Sequence, residues 1–370
     1  MKKMIFTAAM MLASAAAMAQ SETFQIKGNV EGLPDSLVAM IGRKTENIEV
    51  KKKKFVYSKN FDKPQWVYLC DQKVIKSGVF KVFPVFAIPG ETIEMKGNFT
   101  KGADIKGGKF YQEQDLMNEY KSQAYKDIQA LWKWCSDNTN DSNRDSIEKV
   151  VDERMEPLQK KYAADLLAYA KQHSGQECIA LLIDNLDDVK DKETLISLMA
   201  DNVKNGRMKA YYEPIFERAK KRAEMEEKAK VVQASGVEAP DFTLNDINGK
   251  PFSLSSLRGK YVVIDFWGSW CIWCIKGMPK MKEYYEKYKG KFEILGVDCN
   301  DTEAKWKAAV EKHQLPWIHV YNPKGSDVLD KYAVQGFPTK IVIGPDGKIV
   351  KTIVGEDPAF YTLLDEVLGK

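Results

Sequence analysis

Histidine is scarce in this sequence, with three in 370 residues. His173, His313 and His319 form no pair at ligand spacing, and Cys70, Cys135, Cys178 and Cys299 are scattered. A structural zinc needs four ligands, usually as two close pairs, so no metal site and no other cofactor is expected. Charge of one sign is lacking too. Lys and Arg number 56 against 52 Asp and Glu, a net +4, which leaves no basic surplus for nucleic acid. The one basic run, Lys51–Lys54, reads as a solvated strand edge, where lysine discourages sheet-to-sheet pairing. Beyond the leader, no apolar run approaches the roughly 18 residues of a membrane helix, so no span is expected in the mature chain.

That leader, MKKMIFTAAMMLASAAAMAQ, has a positive start, a short apolar centre and an Ala17-Met18-Ala19 exit. The pattern predicts a signal peptide over residues 1–19, cleaved after Ala19. No cysteine follows the cleavage site, so no lipid anchor is expected there. Without Lys2 and Lys3 the net charge falls from +4 to +2. The mature protein is expected to be soluble and periplasmic, where disulfides are chemically available. Its 44% hydrophobic and 29% charged residues are ordinary for a soluble globular chain.

Residues 22–108 carry short alternating runs, among them FQIKGNVEG, SLVAMIG, FVYSKN, QWVYLC, VFPVFAIPG and TIEMKGNF. Gly, Pro, Asp and Lys separate them, which predicts a small antiparallel sandwich or barrel. No histidine and no clustered acids occur there, hence no catalytic constellation. From 109 to 232 the pattern turns helical. Ile147, Val151, Met155, Leu158, Tyr162, Leu166 and Tyr169 recur at three- and four-residue steps, one face of an amphipathic helix. CIALLIDNL and LISLMADNV extend the helical reading, and PIFERAKKRAEMEEKAKVV reads as a solvated helical connector. The polar stretch 136–145, SDNTNDSNRD, reads as a mobile loop.

A third pattern occupies 236–370. APDFTLNDINGKPFSL predicts a hairpin around Asn248-Gly249, and KYVVIDFW is a continuous apolar run fit for a strand buried on both faces. A helix from about Cys271, the strand FEILGVD and a helix over TEAKWKAAVEKH follow. The strand pair TKIVIG and KIVKTIVG around Asp346-Gly347 and a last helix, AFYTLLDEVLG, complete it. This order predicts an α/β domain with a mixed central sheet.

In VVIDFWGSWCIWC, Cys271 stands where a strand ends and a helix begins. A sulfur there can face unpaired backbone N–H groups and the positive end of the helix dipole, which stabilise the reactive thiolate. Cys274 lies one turn further in, close enough to close a disulfide and more shielded. Exposed Trp270 and Trp273 around the pair are more than an inert bridge needs. The expectation is a redox pair with an accessible Cys271. Asp265 lies inside the apolar strand, where a charge is costly unless it has a use. A buried carboxyl with a raised pKa could take the proton of Cys274; the alternative is an acid held by structural hydrogen bonds. In GFPT, residues 336–339, a proline at a strand entrance is often cis. Packed opposite the cysteines, Pro338 would leave a neighbouring N–H and C=O free for an extended substrate.

WCIWC with Asp265, the helix proline Pro279 and Phe337-Pro338-Thr339 resembles the thioredoxin superfamily. APDFTL, Leu257-Arg258-Gly259-Lys260 and YAVQGFPTKIVIGPDGKIV narrow the resemblance to exported TlpA/ResA-like thiol-disulfide oxidoreductases, over 236–370. FQIKGNVEGLPDS is similar to an uncharacterised domain that often precedes such modules in exported bacterial proteins. The resemblance implies a thioredoxin-like fold and catalytic Cys271, Cys274 and Asp265. It implies substrate contacts at Trp270, Trp273, Phe337, Pro338 and Thr339. The implied partners are a disulfide-containing protein or peptide and an upstream membrane or periplasmic thiol donor. Two departures bear on this. Many relatives carry a glutamate three residues after the second cysteine, where this chain has Gly277, and many have Asn in place of Asp265. The proton-handling role therefore falls to Asp265, as in thioredoxin itself. Ile272-Trp273 between the cysteines lacks the histidine of strongly oxidising relatives, which favours a reductase.

Two other readings stand beside this one. A thiol peroxidase of related fold would place a Pro and a Thr or Ser upstream of its cysteine, where this chain has Ile264 and Gly268. Alternatively, the first 230 or so residues dock a partner and only tether the redox module. Cys299, after the strand FEILGVD, is either an auxiliary thiol at the rim or a buried bystander. Cys70, Cys135 and Cys178 read as small buried hydrophobes.

Overall fold

The structure, a computed structural model, describes residues 22–73, 82–140 and 142–369; the expected signal peptide lies outside them. The chain divides into two compact units, one ending at Ala219 and one beginning at Lys220.

In the first unit, short strands come first: β1 (Glu22–Glu31), β2 (Leu37–Ile41), β3 (Lys44–Asn47) and β4 (Lys54–Phe61). They continue with β5 (Gln65–Asp71), β6 (Val82–Ala87), β7 (Thr92–Asn98) and β8 (Gly102–Lys106). Two four-stranded sheets result, ordered β4-β1-β7-β8 and β3-β2-β5-β6. Alternation does what it should. Phe55, Tyr57 and Phe61 of β4 and Ile93 and Met95 of β7 turn inward, into one core with Leu69, Val85 and Phe86 of the other sheet. One pairing corrects the antiparallel expectation: β1 runs parallel to β7, with Ile26 opposite Ile93. Parallel neighbours need a long crossover, here β4 and the whole second sheet, and local alternation carries no trace of it.

The helices are α1 (Lys109–Glu119), α2 (Gln123–Asn138), α3 (Arg144–Gln172), α4 (Val189–Leu198), α5 (Asp201–Lys204) and α6 (Lys209–Val232). Ser122 caps α2 by accepting the Tyr125 N–H at 3.1 Å. α3 buries Val151, Met155, Leu166 and Tyr169, the face its periodicity marks. Leu166, Ile179, Leu182 and Tyr212 extend the core of the sheets. Two segments differ from expectation. Glu177–Asn185 is a 3-10 helix, with Cys178 to Ile183 all buried; a segment apolar on every side has no periodic face to distinguish the two helix types. The buried Lys192 ammonium takes the carbonyls of Ile183, at 2.7 Å, and Leu186 beyond its end. The polar stretch 136–145 is largely helix ends. Only 139–143 connects α2 to α3, where Asn143 Nδ2 donates to the Asn138 carbonyl at 2.9 Å and Asn143 Oδ1 accepts the Asn140 N–H at 2.8 Å.

The second unit contains β9 (Thr243–Asp246), β10 (Pro251–Ser253), β11 (Tyr261–Trp267), α7 (Ile272–Lys287), β12 (Phe292–Asp298) and α8 (Glu303–His313). It continues with β13 (Ile318–Tyr321), α9 (Val328–Lys331), β14 (Thr339–Ile343), β15 (Ile349–Val354) and α10 (Ala359–Leu368). Its seven-stranded sheet runs β10-β9-β13-β12-β11-β14-β15. β12 is parallel to β11 and β13, and β14 is antiparallel to β11 and β15: the mixed sheet expected. β11 is central and buried on both faces. Val262, Ile264 and Phe266 pack with Leu295 and Ile341 on one side. Val263 and Trp267 pack on the other with Met278, Met281, Phe360 and Leu364, in a cluster that also holds Cys271 and Cys274. The β14–β15 turn needs Gly347, at φ +82°, because a Cβ there would strike the Arg258 guanidinium. β13 gives no signal in the sequence, being four residues too short to show alternation. Among the described residues no helix is long and apolar enough to cross a membrane.

Candidate active site

β11 ends at Trp267, and the chain turns through Gly268, Ser269 and Trp270 into α7, which Cys271 caps. The Cys271 Sγ accepts the Cys274 N–H at 3.2 Å, one of the amides a helix start leaves without a partner. Cys271 and Cys274 are joined as a disulfide, with Cα atoms 5.3 Å apart.

Tight packing fixes this turn. A Cβ on Gly268 would lie 2.5 Å from Trp270 Nε1 and 2.8 Å from the Cys299 carbonyl; with none there, Trp270 Nε1 donates to that carbonyl at 3.0 Å. The Asp301 carboxylate accepts both the Ser269 N–H, at 2.6 Å, and its hydroxyl, at 2.7 Å. Nothing local in the sequence marks Ser269 or Asp301. They meet because parallel β11 and β12 end side by side.

The expected accessible sulfur is not found in the oxidised pair. Cys271 keeps 5% exposure and Cys274 3%. The Cys271 side chain turns back toward the helix amides, and Trp270 packs edge-on against Phe337, 5.3 Å between ring centres. Phe337 also packs against the cluster that holds both cysteines. What faces solvent is the rim. Trp270, Ile272 and Trp273 are 49%, 67% and 62% exposed, and the Lys276 ammonium lies 4.5 Å from the Trp273 ring centre, a cation–π contact.

The Phe337–Pro338 bond is cis, as the strand-entrance proline suggests. Pro338 is buried and its carbonyl already accepts the Gly355 N–H at 2.8 Å. Among the described residues, the free backbone groups beside it are the N–H and C=O of Phe337. Thr339, read as a substrate contact, is turned inward: it is buried, its hydroxyl donates to the Gly336 carbonyl at 2.8 Å, and it opens β14 opposite Phe266.

Asp265 is buried on the cysteine side of the sheet, the side of Val263 and Trp267. Its Oδ1 has no partner among the described residues. Burial pushes the carboxyl up to about 6, Lys340 pulling it down and Glu356 pushing it up. Lys340 stands opposite Asp265 across the β11–β14 pairing. It is 1% exposed, and its Nζ lies 2.8 Å from Glu356 Oε2. Tyr361 donates to Glu356 Oε1 at 2.9 Å. A Cβ on Gly277 would lie 2.3 Å from the Glu356 carboxylate, so Glu356 fills the space a side chain at 277 would take. Sequence reasoning passed over Lys340, Glu356 and Tyr361; a lysine inside the apolar run TKIVIG is the one signal that points to them.

Of the remaining cysteines, Cys299 is fully buried and its thiol donates to the Val297 carbonyl at 3.4 Å. Burial first, then Asp298 and Asp265, push that thiol far up. Only its backbone reaches the rim, so it is the bystander. Cys70 and Cys178 are buried as expected and Cys135 is half-buried; burial pushes the Cys178 thiol up to about 12.

A cysteine pair heading a helix, a cis-proline loop packed beside it and a buried acid in the central strand define a thioredoxin-like redox domain. Residues 235–352 match the AhpC/TSA family. The chain is 43% identical over 122 residues to the thiol-disulfide oxidoreductase ResA of Bacillus cereus strain ZK / E33L, a match covering 33% of this chain and 70% of that protein. ResA of Bacillus subtilis strain 168 is 36% identical over 123 residues, 33% and 68% being covered. Among solved structures, the thioredoxin domain of a thiol-disulfide oxidoreductase from Bacteroides vulgatus is 36% identical, with 36% of this chain and 98% of that one covered and a TM-score of 0.35. Through its C-terminal third, this chain belongs to the ResA family of thiol-disulfide oxidoreductases. These relatives do not favour the thiol peroxidase reading.

Proposed function

We propose that the chain is an exported, periplasmic oxidoreductase that reduces disulfides in proteins or peptides through Cys271 and Cys274. The supporting observation is the Cys271 Sγ held at the head of α7, accepting the Cys274 N–H at 3.2 Å. The same contact stabilises a thiolate once the pair is reduced.

In the reduced protein the Cys271 thiolate attacks one sulfur of a substrate disulfide. That bond breaks, a mixed disulfide forms, and the other substrate sulfur leaves as a thiolate. Cys274 gives its proton to the Asp265 carboxylate and attacks the Cys271 Sγ. The Cys271–Cys274 disulfide forms, and the second substrate sulfur leaves. Two electrons have passed to the substrate. A dithiol on a membrane or periplasmic donor then returns two electrons and two protons to the pair. Ile272 and Trp273 supply no cation to the Cys271 thiolate, which leaves the dithiol less favoured against the disulfide and suits a reductase.

The exposed Trp270, Ile272 and Trp273 offer an apolar flank to an extended substrate segment, and the Phe337 N–H and C=O are the groups to pair with its backbone. Pro338 and Thr339 hold that loop in place. In this reading a β-rich domain spans 22–108, a helical region 109–232 and the redox domain 236–370, behind a signal peptide over 1–19.

The trapping experiment follows from the order of the two attacks. A reduced Cys274→Ser protein mixed with a disulfide-bonded peptide should carry one peptide covalently at Cys271. Intact mass should show the adduct, and dithiothreitol should release it. No adduct, under conditions where the wild-type protein turns the peptide over, would reverse the assignment of the two sulfurs.

A further inference from the structure

The proton acceptor of this scheme is not an isolated carboxyl. Asp265 and Lys340 face each other across paired strands, and cross-strand partners point to the same side of a sheet. Both are nearly sealed from solvent, at 4% and 1% exposure. The Lys340 ammonium is engaged with Glu356 at 2.8 Å. Tyr361 holds the second Glu356 oxygen at 2.9 Å and lies 3.4 Å from the Gly277 carbonyl, in the turn of α7 that follows Cys274. The Lys280 ammonium lies over the Tyr361 ring, 4.3 Å from its centre. One buried cation thus serves two carboxylates, only one of which it contacts, while Asp265 Oδ1 has no partner among the described residues.

We infer that Lys340 and Glu356 are positioning residues that set the pH at which Asp265 can accept the Cys274 proton. Glu356 reaches this place because residue 277 is glycine: its carboxylate, carried by the segment after β15, stands where a side chain from α7 would otherwise be. The charged and titratable groups facing Asp265 are Lys340 from β14, Glu356 from the β15–α10 connection, Tyr361 from α10, Cys299 from the end of β12 and Cys274 itself. Lys340 and Glu356 form an ion pair of opposite charges, so the two should act on Asp265 in opposite senses.

A general base works only when ionised, so the resolving step should speed up as pH rises through the Asp265 titration. Removing a neighbouring cation disfavours the carboxylate, and removing a neighbouring anion favours it. Lys340→Met should therefore move the ascending limb to higher pH, and Glu356→Gln should move it to lower pH, each by about one unit or more. Lys340→Arg should leave it near its wild-type position.

The inference rests on Asp265 being the acceptor, so Asp265→Asn is run beside the others. The measurement is single-turnover reduction of a disulfide-bonded peptide by the reduced protein from pH 4.5 to 9, paired with a carbon-13 NMR titration of the Asp265 carboxyl. Opposite displacements in the two variants, seen in the rate and in the carboxyl titration, are the expected result. If Asp265→Asn removes the limb but the Lys340 and Glu356 variants leave it in place or move it the same way, the inference fails and the acceptor stands. An unchanged profile in Asp265→Asn removes both. Should Lys340→Met not fold, the downward shift in Glu356→Gln decides the matter.

Discussion

Cys271→Ser should lower dithiol-driven reduction of a peptide disulfide by at least about a thousandfold, about 4 kcal/mol of barrier at roughly 1.4 per decade. The reason lies in ionisation. A thiolate is the attacking species in disulfide exchange, and a serine hydroxyl at the same place stays protonated at any working pH. The helix-start amides that stabilise a thiolate at Cys271 cannot make up that difference. Cys299 and Cys178 offer no substitute. Both are fully buried, and burial holds their thiols well above the ordinary range. A parallel Cys299→Ser protein should keep turnover within about twofold, under 0.5 kcal/mol. Steady-state rates with a fixed dithiol and a fluorescent peptide disulfide would check both. Residual turnover above about a tenth of wild type in Cys271→Ser would move the chemistry to another residue. The near closure of the pair in its oxidised form makes this more than a formality. At 5% exposure the Cys271 sulfur is almost closed off in the oxidised pair, so a loss of turnover in Cys271→Ser also shows that it becomes reachable in the cycle.

What could be read in advance divides along sequence distance. The cysteine pair, the helix it heads, Asp265 and the proline loop each lie inside one strand–turn–helix or loop segment, where residue spacing and chemistry are visible together. β4 and β7 were legible because one buried face imposes a period of two. The parallel β1–β7 pairing was not, since direction is decided by the crossover over residues 32–91, whose local patterns look the same either way. Cys178 to Ile183 of the 3-10 helix are all buried, so the segment lacks the exposed face from which a helical period is counted. The charges around Asp265 were hidden for the same reason as the parallel pair. Lys340 and Glu356 come from β14 and the segment after β15, and only sheet pairing brings them under α7. The space beside Gly277 is filled by the Glu356 carboxylate, from another part of the chain, and no motif search along the helix would find it. Exposure is the other lesson. Aromatic residues beside Cys271 suggested an open sulfur, yet the sulfur turns back to the α7 amides and Phe337 packs against its cluster, while Trp270 and Trp273 stay exposed.

Asp298→Asn should stabilise the second unit at pH 8 by about 2 kcal/mol or more relative to the wild type, with little gain near pH 4.5. Asp298 ends β12, opposite Trp267 of β11 and Tyr321 of β13. It is completely buried, and neither carboxyl oxygen has a partner among the described residues. Burial first, and the nearby Asp301 carboxylate second, push it from 3.8 up to about 8. A folded pKa above the unfolded one means the folded state holds the proton more tightly. The contribution is therefore whole below about pH 4 and is lost as pH rises toward 8. At about 1.4 kcal/mol per unit, the full shift sets a ceiling of several kcal/mol. Asparagine keeps the shape and never ionises, so the variant should escape the loss. Thermal unfolding of both proteins at pH 4.5 and pH 8 measures it; for a unit of this size the difference at pH 8 should be about 4–8 °C. A variant-minus-wild-type difference equal at the two pH values would show that Asp298 does not titrate in this window. The effect has a direction in space as well. Asp301 holds the backbone and hydroxyl of Ser269, two residues before Cys271, so a second carboxylate ionising beside it is expected to loosen that turn. Trp270, fixed to the Cys299 carbonyl at 3.0 Å, should register that loosening in its fluorescence at a lower temperature than the unit unfolds, and the asparagine variant should abolish the early change.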